Sequence, residues 1–328
     1  KQFQKWEGNV LQNKEKFLEV SHVSKVFPVK KQQLHAVSDV NFSISRGEIL
    51  GIVGESGCGK STLAKMLVGS LPVSEGKMIL NGEDYTELTG KKKREFRRNI
   101  QMVFQDPLSS FSPRMKIGTY LCEPRRNYDG ISKSEAIKEA EELLEKVGLP
   151  REFVLRYPHE LSGGQLQRVA IARAIAIKPE LLICDEATGA LDVSIQNQIA
   201  RLLVELVEEQ NMGCIFIGHD LALVRSVTQR IAVMYLGRMV ELLDSEDLEQ
   251  KCCHPYTKAL LNSVFDVYCD QKAEIHLLEG DPPSPLQVQK GCAFASRCPR
   301  CQEKCKSSLP KLETVGEGHL AACFYPEA

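Results

Sequence analysis

Apolar positions along this chain follow two periods. The stretches "KFLEVSHVSKVF" and "VSDVNFSISRGEILGIVG" alternate or run apolar with β-branched residues, and they predict strands. "KSTLAKMLVGSL" has helical spacing and follows a strand over Ile49–Val53 through a glycine-rich turn. "SKSEAIKEAEELLEKVGLP" (Ser132–Pro150) predicts an amphipathic helix with Ile137, Ala140, Leu143, Leu144 and Val147 as its stripe, ended by Gly148 and Pro150. "QLQRVAIARAIAIKPELLICDEA" passes from a helix into a buried strand over Leu181–Cys184, and "NMGCIFIGHD" holds another over Cys214–Gly218. Strands alternating with helices predict an α/β domain with a largely parallel sheet. A helix-rich insertion is expected over about 107–170. After about Gln250 prolines, cysteines and turn residues accumulate, as in "GDPPSPLQVQKGCAF", and a domain boundary is expected there.

Composition narrows the class without naming it. The 328 residues are 43% hydrophobic and 26% charged with a formal net charge of −1, as in ordinary globular proteins. That balance gives no global basic field to suggest nucleic acid as a partner. The cluster "KKKREFRR" (Lys91–Arg98) reads as a solvated helix face. No run of about 18 apolar residues occurs, so no membrane-spanning helix is expected. The opening residues lack the apolar segment of a secretory signal, and the expected setting is cytosolic, with reduced thiols. Of twelve cysteines, five lie in the tail, at Cys292, Cys298, Cys301, Cys305 and Cys323, and in that setting they point to metal rather than disulfides.

Chemistry enters with "GESGCGKS" (Gly54–Ser61), which matches G-x-x-x-x-G-K-[ST] between a strand and a helix. Its glycines let successive backbone N–H groups cradle phosphate oxygens, and the helix N-terminus adds a positive dipole end. Lys60 would pair with the β- and γ-phosphates, and the Ser61 hydroxyl would sit on Mg²⁺. "LLICDEA" (Leu181–Ala187) is an apolar strand ending in two carboxylates. Asp185 would hold Mg²⁺ and Glu186 would polarise the attacking water. Together they specify a nucleoside triphosphatase. "LSGGQLQR" (Leu161–Arg168) adds a second set of N–H donors at a helix start, suited to a nucleotide held by another subunit.

With these motifs the sequence resembles the ATPase subunits of ABC transporters over about Lys16–Gln250. "GESGCGKST", "QMVFQDP", "LSGGQ", "LLICDEA", "GALD" and "FIGHD" occur in that family's order. The resemblance implies a P-loop NTPase fold, with a RecA-like core plus a helical subdomain, over 17–250. It implies two such domains enclosing two ATP molecules head to tail. Gly54, Glu55, Ser56, Gly57, Cys58, Gly59, Lys60, Ser61 and Thr62 would bind ATP, and Phe27 would stack on adenine. Ser162, Gly163, Gly164, Gln165 and Asp192 would reach the nucleotide of the other subunit. Glu186 would be the base and His219 would hold the γ-phosphate geometry. Gln105 would touch Mg²⁺, alongside Ser61 and Asp185, and signal to a membrane subunit. Gly218 stands where the family often has serine, and "EATGALD" replaces an "EPTSALD"-like run. Neither departure removes a hydrolytic group.

Three stretches, "FQDPLSSFSPRMKIG", "ALDVSIQ" and "HPYTKALL", look like the dipeptide, oligopeptide and nickel importer branch, as does "GDPPSP" followed by "GCAFASRCP". That branch implies a second, paralogous ATPase, two transmembrane permease subunits and an external solute-binding protein, with this chain peripheral on the cytoplasmic face. It also implies a small cysteine-rich C-terminal extension over 251–328, with Cys292, Cys298, Cys305 and Cys323 as [4Fe–4S] ligands. Zinc on Cys298, Cys301, His319 and Cys323 is the alternative. The transported solute is expected to be a peptide, with nickel or another small solute as runner-up. An ABC ATPase acting on nucleic acid or ribosomes is the rival class. Residues 1–16 carry no interpretable motif.

Overall fold

The computed structural model describes residues 16–30, 32–189, 191–263, 283–284, 286 and 290–327. The N-terminal stretch before Lys16, Ala190 of "GALD" and most of "GDPPSP" lie outside the described residues. The chain divides into two compact units. One comprises Lys1–Ile44, Leu50–Thr86 and Gly218–Ala328, and the other Ser45–Ile49 and Glu87–Ile217.

In the first unit, Lys16–Val29 lies between Gln32–Ser45 and Glu75–Leu80, and pairs antiparallel with the latter. The strand Ile49–Val53 is buried along its whole length and, from Leu50 on, pairs parallel with Arg230–Tyr235. Burial on both faces explains why it reads as an apolar run rather than an alternation. Arg230–Tyr235 turns back antiparallel into Arg238–Asp244, which in turn pairs with His319–Ala321. The tail after Gln250 therefore closes onto a strand that precedes it.

In the second unit, Ile100–Val103, Leu181–Asp185 and Gly213–Ile217 form a parallel set, and the last two are buried throughout. The same unit carries the helices Ile117–Asp129, Lys133–Lys146 and Gly163–Ile175, the last running past position 170. Lys133–Lys146 starts at Ser132, whose hydroxyl accepts the Glu135 N–H at 3.2 Å, and it ends before Gly148. Its buried face is Ala136, Ala140, Leu144 and Val147, while Ile137 and Leu143 are half-buried. The stripe is thus turned slightly from the one expected, and the neighbouring helix Ile117–Asp129 comes close beside it. A Cβ on its Gly118 would lie 2.8 Å from the Val154 carbonyl and 3.3 Å from Ile137 Cδ1. Arg125 on that helix grips both Glu139 oxygens, at 2.7 and 2.9 Å, and holds the Glu139 carboxyl below its ordinary range. Among the described residues no helix is long and apolar enough to cross a membrane.

Leu144 is fully buried in this helical contact. Leu144→Ala should lower the unfolding free energy by about 2–5 kcal/mol, read from denaturant midpoints at constant slope.

Candidate active site

The strand Ile49–Val53 delivers the chain into Gly54, at φ +152°, and the loop closes at Gly59, at φ +105°. A Cβ on Gly54 would stand 2.2 Å from the Met234 carbonyl oxygen, and one on Gly59 2.3 Å from that of Ala36. Both positions require glycine for conformation and for space. The helix Lys60–Leu67 then begins without a side-chain cap. Its open first turn suits an anion. The Lys60 ammonium, 4% exposed, donates to the carbonyls of Gly54 at 2.7 Å and Glu55 at 2.9 Å. It also lies 3.7 Å from the Cys58 sulfur, whose thiol burial pushes above its ordinary pKa. Among the described residues those partners are neutral, so the buried ammonium lies against two carbonyls that the loop turns toward it. That ammonium and the open helix start are a donor set that a polyphosphate fits. Ser56 and Gly57 are exposed at the rim, and Ser61 and Thr62 are half-buried.

His219 belongs to the same unit. The Gly218 N–H donates to the Ile52 carbonyl at 3.2 Å, which sets His219, exposed, beside the end of the strand that feeds the loop. Asp220 caps the next helix, Leu221–Val227, by accepting from the N–H groups of Ala222 and Leu223. Phe27 is half-buried on Lys16–Val29, with the Lys25 ammonium 5.2 Å from its ring centroid.

The second unit carries the remaining residues expected at the nucleotide. Asp185 ends the buried strand Leu181–Asp185 and is itself buried. Glu186 follows in the left-handed region, at φ +48°, with its N–H on the Ile217 carbonyl at 2.9 Å. A glutamate held at positive φ is strained, and such strain persists where the surroundings dictate it. Gln105 is exposed just past Ile100–Val103, between the exposed apolar side chains of Phe104 and Leu108. Ser162 caps Gly163–Ile175: its hydroxyl accepts the Gln165 N–H at 3.3 Å, and the Gln165 side-chain oxygen accepts the Ser162 N–H at 3.0 Å. Ser162 and Gly163 are exposed at that helix start, and a Cβ on Gly164 would meet Ile195 at 2.8 Å. Asp192, also exposed, stands at the start of Val193–Gln210.

In the tail, Cys292, Cys298, Cys305 and Cys323 line one cavity together with Phe294 and His254. Burial pushes the Cys292 thiol up to about 11 and raises those of Cys298 and Cys323. The four thiols share this cavity, while among the described residues the side chains close enough to share one metal ion are Glu241, Cys253 and His319. Of the Cys₃His zinc set, Cys298 and Cys323 line this cavity while Cys301 and His319 do not. The Cys301 sulfur lies against the Gln302 carbonyl. The His319 ring instead meets Glu241 at 2.7 Å and Cys253 at 3.6 Å. Glu241 and Cys253 escape a reading of the sequence, because no spacing links Glu241 to residues 12 and 78 positions further on. Tyr256 and Arg297, which contact the phosphate loop, escape it for the same reason.

Comparison with known proteins supplies the family. Residues 37–189 match the ABC transporter family, and residues 240–305 match the oligopeptide/dipeptide transporter C-terminal region. The chain is 44% identical to the oligopeptide transport ATP-binding protein OppF of Haemophilus influenzae, covering 96% of this chain and 98% of that protein. It is 44% identical to AppF of Bacillus subtilis, covering 95% and 98%. Among solved structures it is similar to the cassette MJ0796 in a dimeric post-hydrolysis state bound to ADP and Pi. The TM-score there is 0.65 at 30% identity, covering 70% of this chain and 98% of that one. The chain belongs to the ATP-hydrolysing subunits of ABC transporters, in the branch that carries the oligopeptide/dipeptide C-terminal region.

Proposed function

We propose that this chain powers import of peptides through an ABC transporter, on the cytoplasmic face of the membrane beneath two permease subunits that receive solute from an external binding protein. The observation that carries this is the near full-length likeness to peptide-transport ATPases, C-terminal region included. The glycine-bounded loop and buried Lys60 support binding of the ATP polyphosphate. Loop residues Gly54 to Thr62 take the phosphates, with Phe27 against the adenine. Ser61, Gln105 and Asp185 would be the residues to hold Mg²⁺, which would offset charge on the phosphates. Glu186 draws the proton from a water as its oxygen bonds to the γ-phosphorus and the bond to the β-phosphate oxygen breaks. His219 positions the γ-phosphate. Ser162, Gly163, Gly164, Gln165 and Asp192 serve the nucleotide of a second, paralogous ATPase, a reading supported by the dimeric state of the similar solved cassette. The exposed Phe104 and Leu108 beside Gln105 suit cover by a permease subunit.

We read the four cysteines at the tail cavity as ligands of a [4Fe–4S] cluster, supported by their convergence and by the exclusion of Cys301 from the lining.

Glu186→Gln should reduce ATP turnover by at least about 100-fold while nucleotide affinity stays within about threefold, measured by phosphate release and equilibrium binding. Vesicles holding the chain with its copurifying permease and binding subunits should accumulate labelled peptide when ATP is added. Uptake of nickel without peptide would transfer the assignment to that solute. Anaerobically purified protein should be brown and hold about four irons per chain. A colourless sample with one zinc would replace the cluster by a zinc site.

A further inference from the structure

The side chain of Glu55, the second residue of the phosphate loop, points away from the glycine turn toward the tail. Arg297 Nη1 stands 3.0 Å from each Glu55 carboxylate oxygen and 3.4 Å from the Tyr235 hydroxyl. The arginine side chain is only 6% exposed, so this ion pair is shielded from water. Arg297 belongs to the turn between Cys292 and Cys298. Its N–H donates to the Phe294 carbonyl at 3.0 Å, and Cys292 is pinned by its own N–H on the Cys305 carbonyl at 2.7 Å.

A second link runs beside the first. The Glu55 N–H donates to the Tyr256 hydroxyl at 3.0 Å. Tyr256, fully buried, packs on Tyr235 at 4.6 Å and on Phe294 at 5.4 Å between ring centroids. Phe294 lines the cysteine cavity. One side of the phosphate loop is thus fastened, through a charge pair and through packed rings, to the walls of the four-thiol cavity.

Fastening alone would not need this chemistry. A carboxylate in a loop that takes a polyphosphate repels its ligand unless it is neutralised, and a buried guanidinium does that at short range. We infer that Arg297 is a positioning residue for the phosphate loop, neutralising Glu55 and tying the loop to the cysteine cavity, so that filling the cavity with metal strengthens nucleotide binding. The part that concerns metal rests on reading the four cysteines as a metal site. The coupling is reciprocal: nucleotide also tightens binding of the metal.

The test is the dissociation constant of a fluorescent ATP analogue on the full chain, as purified with metal and after stripping by a chelator, with iron and zinc counted in each sample. Arg297→Ala should weaken binding about tenfold, and Arg297→Lys by less, since charge is kept and geometry lost. Adding Glu55→Gln to Arg297→Ala should restore most of the loss, which mere loss of packing would not allow. Stripping should weaken binding about fivefold in the wild type and have little effect in Arg297→Ala. Unchanged affinity in both arginine variants overturns the positioning role. A metal-loaded wild type whose affinity ignores stripping overturns the coupling. A zero metal count sinks the cysteine reading instead, and the arginine variants still decide the positioning role.

Discussion

The nucleotide end of the first unit depends on how closely backbone passes backbone at two points. The carbonyls of Met234 and Ala36 come within about a bond length and a half of where side chains at Gly54 and Gly59 would begin. Those carbonyls belong to strands remote in sequence from the loop, so the loop's shape is imposed by the sheet rather than by its own turn. The same clamp turns the Gly54 and Glu55 carbonyls onto Lys60. Around an ammonium that is almost fully buried, these carbonyls partly replace water. An anion that enters the loop meets a cation already desolvated and aimed, and so incurs little reorganisation.

What the sequence revealed at this site was local. A phosphate loop, a strand ending in carboxylates and a capped helix start each occupy a few consecutive residues, and each was legible because its geometry is set by neighbours along the chain. The Ser162 cap is an example: serine at the cap and glutamine three residues on are legible as letters, and the two hydrogen bonds follow. The buried strands moved by a residue at most, as with Leu181–Asp185 against the expected Leu181–Cys184, while the first two run past the expected stretches, on to Val29 and back to Gln32. Contacts over long separations were not legible. The helix Lys133–Lys146 buries Ala136 rather than Ile137, and the close approach of Gly118 to Ile137 comes from another helix, which no feature of residues 133–146 announces. His319 and Cys323 have a spacing that permits a shared metal, yet Glu241, 78 residues earlier, takes the histidine.

The stretch "HPYTKALL" shows how a family marker acquires a physical meaning. As letters it only suggested a branch. In the structure His254 caps the helix Pro255–Asn262 by accepting the Tyr256 N–H, proline occupies the first turn, and the tyrosine hydroxyl is thereby delivered to the Glu55 N–H. Burial drives the His254 imidazole down to about 4, so the ring is neutral at physiological pH and can act as acceptor in this cap. The marker is therefore a device for placing one hydroxyl against the phosphate loop.

Glu241 performs the corresponding placement for the tail. It is fully buried, and its carboxylate accepts from the Cys253 N–H and meets the His319 ring, each at 2.7 Å. Burying a carboxylate is costly, and a neutral packed residue would serve stability as well or better. What the carboxylate adds is selectivity among registers. Glu241 stands opposite Ala321 and Leu242 opposite Leu320, and the Ala322 N–H continues the pairing to the Val240 carbonyl. A slip of one residue would carry His319 off Glu241 and leave the buried charge without its partner, while sending every following side chain to the other face. Cys323 lies two residues past the paired Ala321, so its arrival in the thiol cavity depends on that register. The buried Glu241–His319 contact and the cysteine cavity are in this sense one construction: the first selects the strand alignment without which the second would have three thiols.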